Sequence, residues 1–319
     1  MNEILIMGNM SEDSKETLRK EFIIHEANKI PDLSAFLCNT GDAITAIATT
    51  GFVGVSNDLI SLMKNVKIIS SNGVGYDSID ANFCANRNII VTHTPNVLNA
   101  EVANTTLMMF LASFRQFRFN EEYLRNGQWG EKGMAPYSHS PDNRTVGILG
   151  MGRIGQEIAS RLSVFKPKIL YHSRSPKNVP YIYYKDLKKM ALEVDVLICI
   201  TPGGPETEKI VNEEILTALG PTGILINVAR GSVVDETALV EALENGRLGY
   251  AALDVFENEP EVPEKLIKME NVTLLPHVGS ATFETRAAMS KLTLDNLLTY
   301  KRKGQVLTPV PECLQISGL

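Results

Sequence analysis

Three segments in the second half of the chain carry side chains that could move a proton while holding an anion. His277 follows the apolar run Leu274-Leu275-Pro276, Arg230 follows Asn227-Val228-Ala229, and the acid-rich segment Asp254–Pro260 lies between them in sequence. An imidazole titrates nearest neutral pH, so it can act as a general acid or base. A neighbouring carboxylate favours its charged form, and a guanidinium binds carboxylates bidentately. These groups predict proton transfer at an oxygen atom of a carboxylate-bearing substrate.

A glycine-rich string predicts a site for the phosphates of a dinucleotide. Gly150-Met151-Gly152-Arg153-Ile154-Gly155 follows the apolar run Thr145–Leu149 and precedes apolar residues at helical spacing. In such a strand–loop–helix unit, Gly150 permits the tight turn, Gly152 lets the backbone approach a pyrophosphate, and Gly155 lets helix and strand pack closely. The helix N-terminus adds free amides and the positive end of its dipole. A purely structural glycine turn is the alternative.

The end of the next predicted strand indicates which nicotinamide cofactor is preferred. Sites that select NAD usually place Asp or Glu there, where it bonds the ribose 2′-hydroxyl. The segment Ile169–Lys177 contains no acid and offers Ser173, Arg174 and Ser175 instead. A guanidinium and two hydroxyls can bind a 2′-phosphate. The sequence therefore favours NADP(H) and leaves NAD(H) possible, the alternative being that Arg174 is a solvated surface arginine.

Short apolar runs alternate with helix-length amphipathic stretches along most of the chain. The predicted strands are Ile4–Met7, Ala46–Thr49, Ile68–Ser70, Ile89–Thr92, Thr145–Leu149, Lys168–Tyr171, Val196–Ile200, Gly223–Val228, Gly249–Leu253 and Val272–Leu275. Several are unbroken apolar runs, which is typical of parallel strands covered on both faces. The alternation predicts a doubly wound α/β fold, in which ligands bind outside the carboxyl ends of the strands.

Length and charge narrow the class of protein further. A chain of 319 residues predicts two domains at roughly 100–200 residues each. Its net charge of −6 argues against nucleic-acid and anionic-membrane partners. We find no run of about 18 apolar residues and no signal-peptide pattern, so we expect no membrane span. The four cysteines form no CxxC pair and suggest no metal site, which favours a reduced, cytoplasmic protein.

Two segments before the glycine-rich string are interpreted separately. The helical run Ala100–Phe119 is apolar almost all round at its start, which predicts burial at a domain or subunit interface. The following segment, Asn126–Arg144, is rich in Gly, Pro, Ser and charges, and we interpret it as a long surface connection. Trp129 within it is interpreted as an interface anchor, the alternative being that it helps shape a neighbouring active site across a dimer.

Over essentially its whole length the chain resembles the D-isomer-specific 2-hydroxyacid dehydrogenase family. The resemblance is carried by the glycine-rich string and by four further segments, which are Asn72–Asp77, Asn227–Asp235, Asp254–Pro260 and Pro276-His277 with Gly279. It implies that Arg230, Glu259 and His277 are the catalytic residues, and it selects Glu259 over Glu257. His277 would donate the proton, Glu259 would support the imidazolium, and Arg230 would bind the substrate carboxylate and carbonyl oxygen.

The resemblance also implies roles for residues outside this trio. Asp254 would bond the nicotinamide carboxamide, the loop Pro202–Thr207 would line the adenosine side, and the backbone amides of Val74 and Gly75 would bind the substrate carboxylate. The predicted substrate-binding residues are therefore Val74, Gly75, Arg230 and His277. The predicted cofactor-binding residues are Gly150, Met151, Gly152, Arg153, Ile154, Gly155, Ser173, Arg174, Ser175, Thr201, Pro202, Thr207, Val228, Ala229, Arg230, Asp254, His277 and Gly279.

The architecture and activity follow as implications of the same resemblance. Residues 1–98 plus 286–319 would form a smaller flavodoxin-like substrate domain, residues 99–285 would form a Rossmann domain, and the protein would be a homodimer. The implied activity is NADPH-dependent reduction of glyoxylate, hydroxypyruvate or 2-ketogluconate to the D-2-hydroxy acid. The alternatives are an NAD-linked dehydrogenase, such as a short-form phosphoglycerate dehydrogenase, and a dinucleotide-sensing regulator that binds a partner protein. We interpret His25, His93 and His139 as structural or solvated.

Overall fold

The computed structural model describes residues 2–316 and divides into two compact units. One unit consists of the chain up to Leu98 together with the chain from Thr282 onward, and the other is Asn99–Ala281. The sequence places the second boundary four residues later, at 285/286. The helix that follows explains the difference, because the Thr282 hydroxyl accepts a hydrogen bond from the Thr285 amide at 3.2 Å and so caps its start. The whole helix, with its cap, therefore packs with the first unit.

Strands and helices alternate along most of the described chain. In chain order the strands are β1 Glu3–Ile6, β2 Ile23–Glu26, β3 Ile44–Thr50, β4 Ile68–Asn72, β5 Ile90–Thr92, β6 Thr145–Leu149, β7 Lys168–His172, β8 Ile182–Tyr183, β9 Val196–Cys199, β10 Ile224–Asn227, β11 Tyr250–Leu253 and β12 Val272–Leu274. The α-helices are α1 Glu12–Arg19, α2 Leu33–Thr40, α3 Asn57–Ser61, α4 Ala81–Asn86, α5 Asn99–Phe114, α6 Phe117–Arg125, α7 Gln128–Lys132, α8 Arg153–Leu162, α9 Leu187–Ala191, α10 Glu213–Leu219, α11 Glu236–Glu244, α12 Glu264–Lys268 and α13 Phe283–Lys303.

Each unit is built on one parallel sheet. Within residues 2–316, the first unit has five strands in the order β2-β1-β3-β4-β5. The second unit has seven in the order β12-β11-β10-β9-β6-β7-β8. The predicted class, two doubly wound parallel-sheet α/β domains, is confirmed. In the second sheet the strand order reverses between β6 and β9, and this switch point is where ligands bind in open α/β sheets.

The inner strands are almost completely buried, as their unbroken apolar sequences predict. Every residue of β9, β10 and β11 is buried, and the side chains of Leu197, Leu225 and Ala251 have no exposed surface. Burial of apolar surface on both faces gives roughly 25 cal/mol per Å² and fixes these strands against their helices. The ends of these strands are therefore firm supports for the loops that follow them.

The structure corrects the interpretation of the segment before β6. The predicted helix Ala100–Phe119 is two helices, α5 and α6, which are separated at Gln116 with a left-handed φ of 46°. The segment predicted as a surface connection contains the short helix α7. Within residues 2–316 no helix is long and apolar enough to cross a membrane.

Candidate active site

The candidate residues of the second unit lie along one edge of its sheet. Neighbouring strands end in register, with Leu149 opposite both His172 and Cys199, and Asn227 opposite both Cys199 and Leu253. Each candidate segment begins within three residues of the end of a strand. These segments are the glycine-rich string, Ser173, Thr201, Val228, Asp254 and His277. Folding therefore brings segments that are distant in sequence to the carboxyl edge of the sheet.

The glycine-rich string forms the loop between β6 and α8, at the switch point. Gly150 has a φ of 109°, and a Cβ there would lie 2.7 Å from the Ile200 carbonyl oxygen. A Cβ on Gly155 would lie 2.1 Å from the Gly150 carbonyl oxygen, so helix and loop touch through backbone alone. At Gly152, by contrast, nothing lies within 4 Å of such a Cβ. Gly150 and Gly155 are needed for packing, whereas Gly152 leaves open space in front of the loop.

This open space and the start of α8 fit a pyrophosphate. Gly152 is the N-cap residue of α8, and no side chain caps the helix there. The first backbone amides of this ten-residue helix therefore lie beside the space that a side chain at position 152 would occupy. Such amides can donate to an anion. Arg161 on α8 donates to Asn104 on α5 at 2.8 Å and helps fix the helix orientation. Met151, a predicted cofactor residue in this loop, is only 1% exposed.

The end of β7 presents the residues predicted to select the cofactor. The Arg174 side chain is 89% exposed, and its guanidinium lies 3.6 Å from the Glu206 carboxylate, whose side chain is 77% exposed. Exposed pairs of this kind are weak, about 0–1 kcal/mol, so the guanidinium can exchange this partner for a phosphate. The Ser173 hydroxyl donates to the Ser175 carbonyl at 2.7 Å and draws this segment into a compact turn.

Tyr183 at the end of β8 and Tyr184 after it, which the sequence interpretation missed, support this turn. The Tyr183 hydroxyl donates to the Ser173 carbonyl at 3.2 Å, and the His172 Nδ1 bonds the Tyr184 carbonyl at 3.0 Å. Glu206, the acid beside Arg174, lies in the loop after β9, and its type and position in the sequence do not indicate this contact. In that loop the Thr207 hydroxyl donates to the Pro202 carbonyl at 2.7 Å.

The Arg230 loop is packed directly on the segment that carries Glu259. A Cβ on Gly231 would lie 1.9 Å from the Phe256 carbonyl carbon, so only glycine allows this approach. The Phe256 amide in turn donates to Glu259 Oε1 at 3.0 Å. Asn227 holds the other side of the loop, because its side-chain amide donates to the Arg230 carbonyl at 3.0 Å. The backbone positions of Arg230 and Glu259 are thereby coupled.

His277 and Glu259 form a short hydrogen-bonded pair. The distance between His277 Nδ1 and Glu259 Oε2 is 2.6 Å. The His277 side chain is 41% exposed, whereas that of Glu259 is only 14% exposed. Because Nδ1 is bound to the carboxylate, the ring is oriented with its Nε2 side directed away from Glu259. Glu257 instead lies 3.3 Å from Lys209 Nζ, so Glu259 is the acid that the structure places against the imidazole.

The pKa of the Glu259 carboxyl lies below its ordinary value of 4.5. Burial is the largest single cause and raises this pKa. The hydrogen bonds from His277 and the Phe256 amide, together with the charges of His277 and Arg230, lower it by more in sum. The pairing of Glu259 with His277 therefore stabilises the folded state at pH values above 4.5, the ordinary pKa of the carboxyl. This stabilisation is lost as the pH falls through the lower pKa that the carboxyl has in the folded protein. Near neutral pH the imidazole has an ionised carboxylate beside it.

Asp254 holds the backbone of the His277 segment. Its Oδ1 accepts the Val278 amide at 2.7 Å, its Oδ2 accepts the Gly279 amide at 2.8 Å, and its carbonyl accepts the His277 amide at 2.8 Å. His277 itself has a left-handed φ of 53°, which is uncommon outside glycine and persists only where the surroundings enforce it. Burial raises the pKa of the Asp254 carboxyl above 3.8, even though both amide bonds lower it.

The predicted substrate-binding turn after β4 belongs to the first unit. Asn72 ends β4, and Gly73, Val74 and Gly75 follow it, all half-buried. The Gly73 carbonyl accepts the Thr94 amide at 2.8 Å, and the Val74 carbonyl lies 2.9 Å from His93 Nδ1. Among the described residues there is no cluster of three or more His, Cys, Asp or Glu side chains that could hold a metal.

The second unit thus combines a phosphate-binding loop at the switch point with a carboxylate–imidazole pair at the same sheet edge. This combination defines a class, the dinucleotide-dependent oxidoreductases built on a doubly wound sheet. Residues 107–279 match the family model for the NAD-binding domain of the D-isomer specific 2-hydroxyacid dehydrogenases. The chain belongs to this family and is an NAD(P)-dependent oxidoreductase, which confirms the resemblance seen in the sequence.

Named relatives match almost the entire chain. A hydroxyphenylpyruvate reductase of Plectranthus scutellarioides is 41% identical over 308 residues, or 96% of this chain and 98% of that protein. A 2-ketogluconate reductase of Gluconobacter oxydans (strain 621H) is 37% identical over 309 residues, or 97% and 98%. A similar solved structure is that of an NADPH-dependent glyoxylate/hydroxypyruvate reductase from Sinorhizobium meliloti in complex with NADP and malonate. Its sequence is 43% identical, its TM-score is 0.92, and the match covers 98% of this chain and 97% of that chain.

Proposed function

We propose that the protein reduces a small 2-keto acid to the D-2-hydroxy acid with NADPH. The observation that carries the proposal is the Glu259–His277 pair, at 2.6 Å, on the same sheet edge as the glycine loop. Relatives named for glyoxylate, hydroxypyruvate, hydroxyphenylpyruvate and 2-ketogluconate all act on 2-keto acids, which supports this class of substrate. Hydroxyphenylpyruvate adds an aromatic candidate that the sequence interpretation did not include.

In the proposed mechanism, a bound nicotinamide supplies the hydride that C2 of the keto acid receives. His277 donates a proton from Nε2 to the carbonyl oxygen, and Glu259 holds the ring through Nδ1 and stabilises its charged form. Arg230 binds the substrate carboxylate and steadies the charge that grows on the carbonyl oxygen. The Val74 and Gly75 amides are proposed as further donors to the carboxylate. In the oxidation direction His277 accepts the proton.

The cofactor preference is proposed from the turn after β7. The turn itself contains no acid, and it presents the exposed guanidinium of Arg174 beside Ser173 and Ser175. A phosphate carries more negative charge than the hydroxyl it replaces, so an arginine here favours NADPH. The NADP complex of the relative from Sinorhizobium meliloti supports this preference.

The experiment that tests the function measures initial rates with NADPH and NADH against four 2-keto acids. These are glyoxylate, hydroxypyruvate, hydroxyphenylpyruvate and 2-ketogluconate. We expect at least one to be reduced with NADPH, and with a higher kcat/KM than with NADH. If NADH serves better, the protein is the NAD-linked alternative. If the protein binds NADPH but reduces none of the four keto acids, the proposed reductase activity is refuted. That result would favour the alternative of a dinucleotide-sensing regulator.

Arg174→Ala is the matched variant for the cofactor arm of that experiment. We expect the KM for NADPH to rise by about tenfold or more, because a charge-assisted hydrogen bond is worth about 1.5–3 kcal/mol. The KM for NADH should change little, because NADH has no 2′-phosphate. An equal rise in KM for NADPH and NADH would show that Arg174 does not bind the 2′-phosphate.

We also propose that the protein is a homodimer in the cytoplasm. Helices α6 and α7 and the segment after them expose an apolar face that is unusual for a monomer surface. Its exposed side chains are Phe117, Leu124, Trp129, Met134 and Tyr137. A second copy of this chain is the proposed occupant, which agrees with Trp129 as an interface anchor.

Light scattering coupled to size-exclusion chromatography tests the homodimer. We expect a mass twice that of one chain, and we expect Trp129→Asp to shift the protein toward the monomer. Leu192→Asp is the matched control, because Leu192 is 64% exposed but lies outside this face. A monomeric wild-type protein would contradict the proposal.

A further inference from the structure

The turn Gly73-Val74-Gly75 directs its carbonyl groups into contacts with the protein. The Gly73 carbonyl accepts the Thr94 amide at 2.8 Å, and the Gly75 carbonyl lies so close to Gly51 that a Cβ on Gly51 would be 2.3 Å from it. The Val74 carbonyl lies 2.9 Å from the ring nitrogen Nδ1 of His93. A carbonyl oxygen has no proton to give, so His93 carries a proton on Nδ1 and donates it.

The amides of the turn are fixed by these carbonyl contacts. In a planar trans peptide the N–H and the C=O point in opposite directions, and the Val74–Gly75 peptide is trans. The bond from His93 to the Val74 carbonyl therefore directs the Gly75 N–H away from the imidazole. Within residues 2–316, neither the Val74 amide nor the Gly75 amide donates to a protein acceptor. Both remain available for a bound anion, and His93 is the side chain that sets the direction of the Gly75 amide.

His93 is itself held by a buried polar network. Its carbonyl accepts the Thr308 hydroxyl at 2.6 Å, and its amide donates to the Thr308 carbonyl at 3.2 Å. Asn296 on α13, which has no exposed surface, donates to the Thr308 hydroxyl at 2.8 Å and accepts the Thr308 amide at 3.1 Å. The Tyr76 ring meets the imidazole edge-on, with centroids 5.5 Å apart. His93 is only 8% exposed, so the ring has little freedom to turn away from Val74.

We propose that His93 is a positioning residue that aims the Gly75 N–H at the carboxylate of the 2-keto acid. This rests on the proposed function and adds a residue to it, one that the sequence interpretation placed among structural or solvated histidines. His93 does not touch the substrate. It acts through one peptide group. Rotation of that group would weaken the hydrogen bond from the Gly75 N–H to the carboxylate, because hydrogen bonds weaken steeply as they lose alignment, and a bond to a charged acceptor is a strong one to lose.

Three substitutions separate positioning from packing. In Asn, the amide nitrogen lies as many bonds from Cα as Nδ1 does in His, so His93→Asn can still donate to the Val74 carbonyl. In His93→Gln the donor lies one bond farther away, and His93→Leu removes it. We expect kcat/KM for the best keto acid to fall about tenfold or more in the Gln and Leu variants, mostly through KM. The Asn variant should stay within about threefold of wild type.

Binding of oxamate, a non-reducible isostere of pyruvate, to the NADPH-bound protein gives a readout without turnover. We expect its Kd to follow the same order, with the Kd for NADPH unchanged in all variants, and the melting temperature reports any loss of fold. A substrate KM in His93→Leu equal to wild type would overturn the proposal, as would an Asn variant no better than Gln. If wild type neither binds oxamate nor reduces any keto acid, the proposed function fails and this inference fails with it.

Discussion

Replacing His277 with Asn lowers kcat for keto-acid reduction by about 10²–10⁴-fold, the usual contribution of a positioned general acid. Asn retains a donor near the position of Nδ1, so it can still bond the Glu259 carboxylate, which lies 2.6 Å from Nδ1. Asn also tolerates the left-handed backbone of this position, where φ is 53°. The variant therefore keeps the segment folded but has no proton to release at the position of Nε2. The measurement is kcat in the reduction direction, at saturating NADPH and keto acid.

Two controls make this result specific. The Kd for NADPH, measured by fluorescence titration, should stay nearly unchanged, because the loop at Gly150–Gly155 lies four strands away in the sheet. His139→Gln is the matched histidine substitution, because His139 is exposed in the same unit and no proposed role involves it. It should leave kcat at the wild-type level. If His277→Asn turns over at the wild-type rate, another group donates the proton.

Ten of the twelve strands in residues 2–316 could be predicted from sequence, whereas β2 and β8 could not. Each of the ten predicted strands coincides with an observed strand to within two residues. Eight of them are interior strands of their sheets, where burial requires apolar runs. The missed strands β2 and β8 are outermost in their sheets. β2 has no buried residue and ends in His25-Glu26, and β8 is only two residues long. These two edge strands bury no residue, so their sequences carry little apolar signal. The other two edge strands, β5 and β12, bury apolar residues and are recognisable in the sequence.

Tertiary contacts decided the points that residue types left open. Residue types alone could not choose between Glu257 and Glu259, since both follow β11 within a few residues. Folding directs Glu259 to His277 and leaves Glu257 near Lys209. The contact between His93 and the Val74 carbonyl forms because β5 pairs with β4 in the sheet. No local sequence pattern predicts it. The roles of Glu259 and His93 in function stay proposals that the substitutions test.

Arg230→Lys should lower kcat/KM for the keto acid by about 10²-fold. A guanidinium offers two parallel N–H donors to a carboxylate, whereas an ammonium is a compact point charge that makes no such fork. Losing one charge-assisted hydrogen bond costs about 1.5–3 kcal/mol, which corresponds to about 10- to 150-fold. The positive charge is retained, so the loss isolates geometry. Steady-state kinetics with the best keto acid measure it, and an unchanged kcat/KM would remove Arg230 from substrate binding.

The Arg230 loop is also structural, so the prediction needs variants that separate the two roles. Arg230 Nη1 donates to the Ala229 carbonyl at 2.7 Å, and the adjacent Gly231 packs against Phe256. Arg247→Lys is the matched control: Arg247 pairs with Glu213 at 2.5 Å and precedes β11, at the opposite edge of the sheet from the proposed site. Arg247→Lys should leave kcat/KM unchanged.

Arg230→Ala should lose more activity than Arg230→Lys. It should regain part of this activity in millimolar guanidinium chloride, because the free cation can occupy the vacated position. A loss in Arg230→Ala that guanidinium cannot restore, accompanied by a lower melting temperature, would show that the arginine matters for folding of the loop rather than for the substrate.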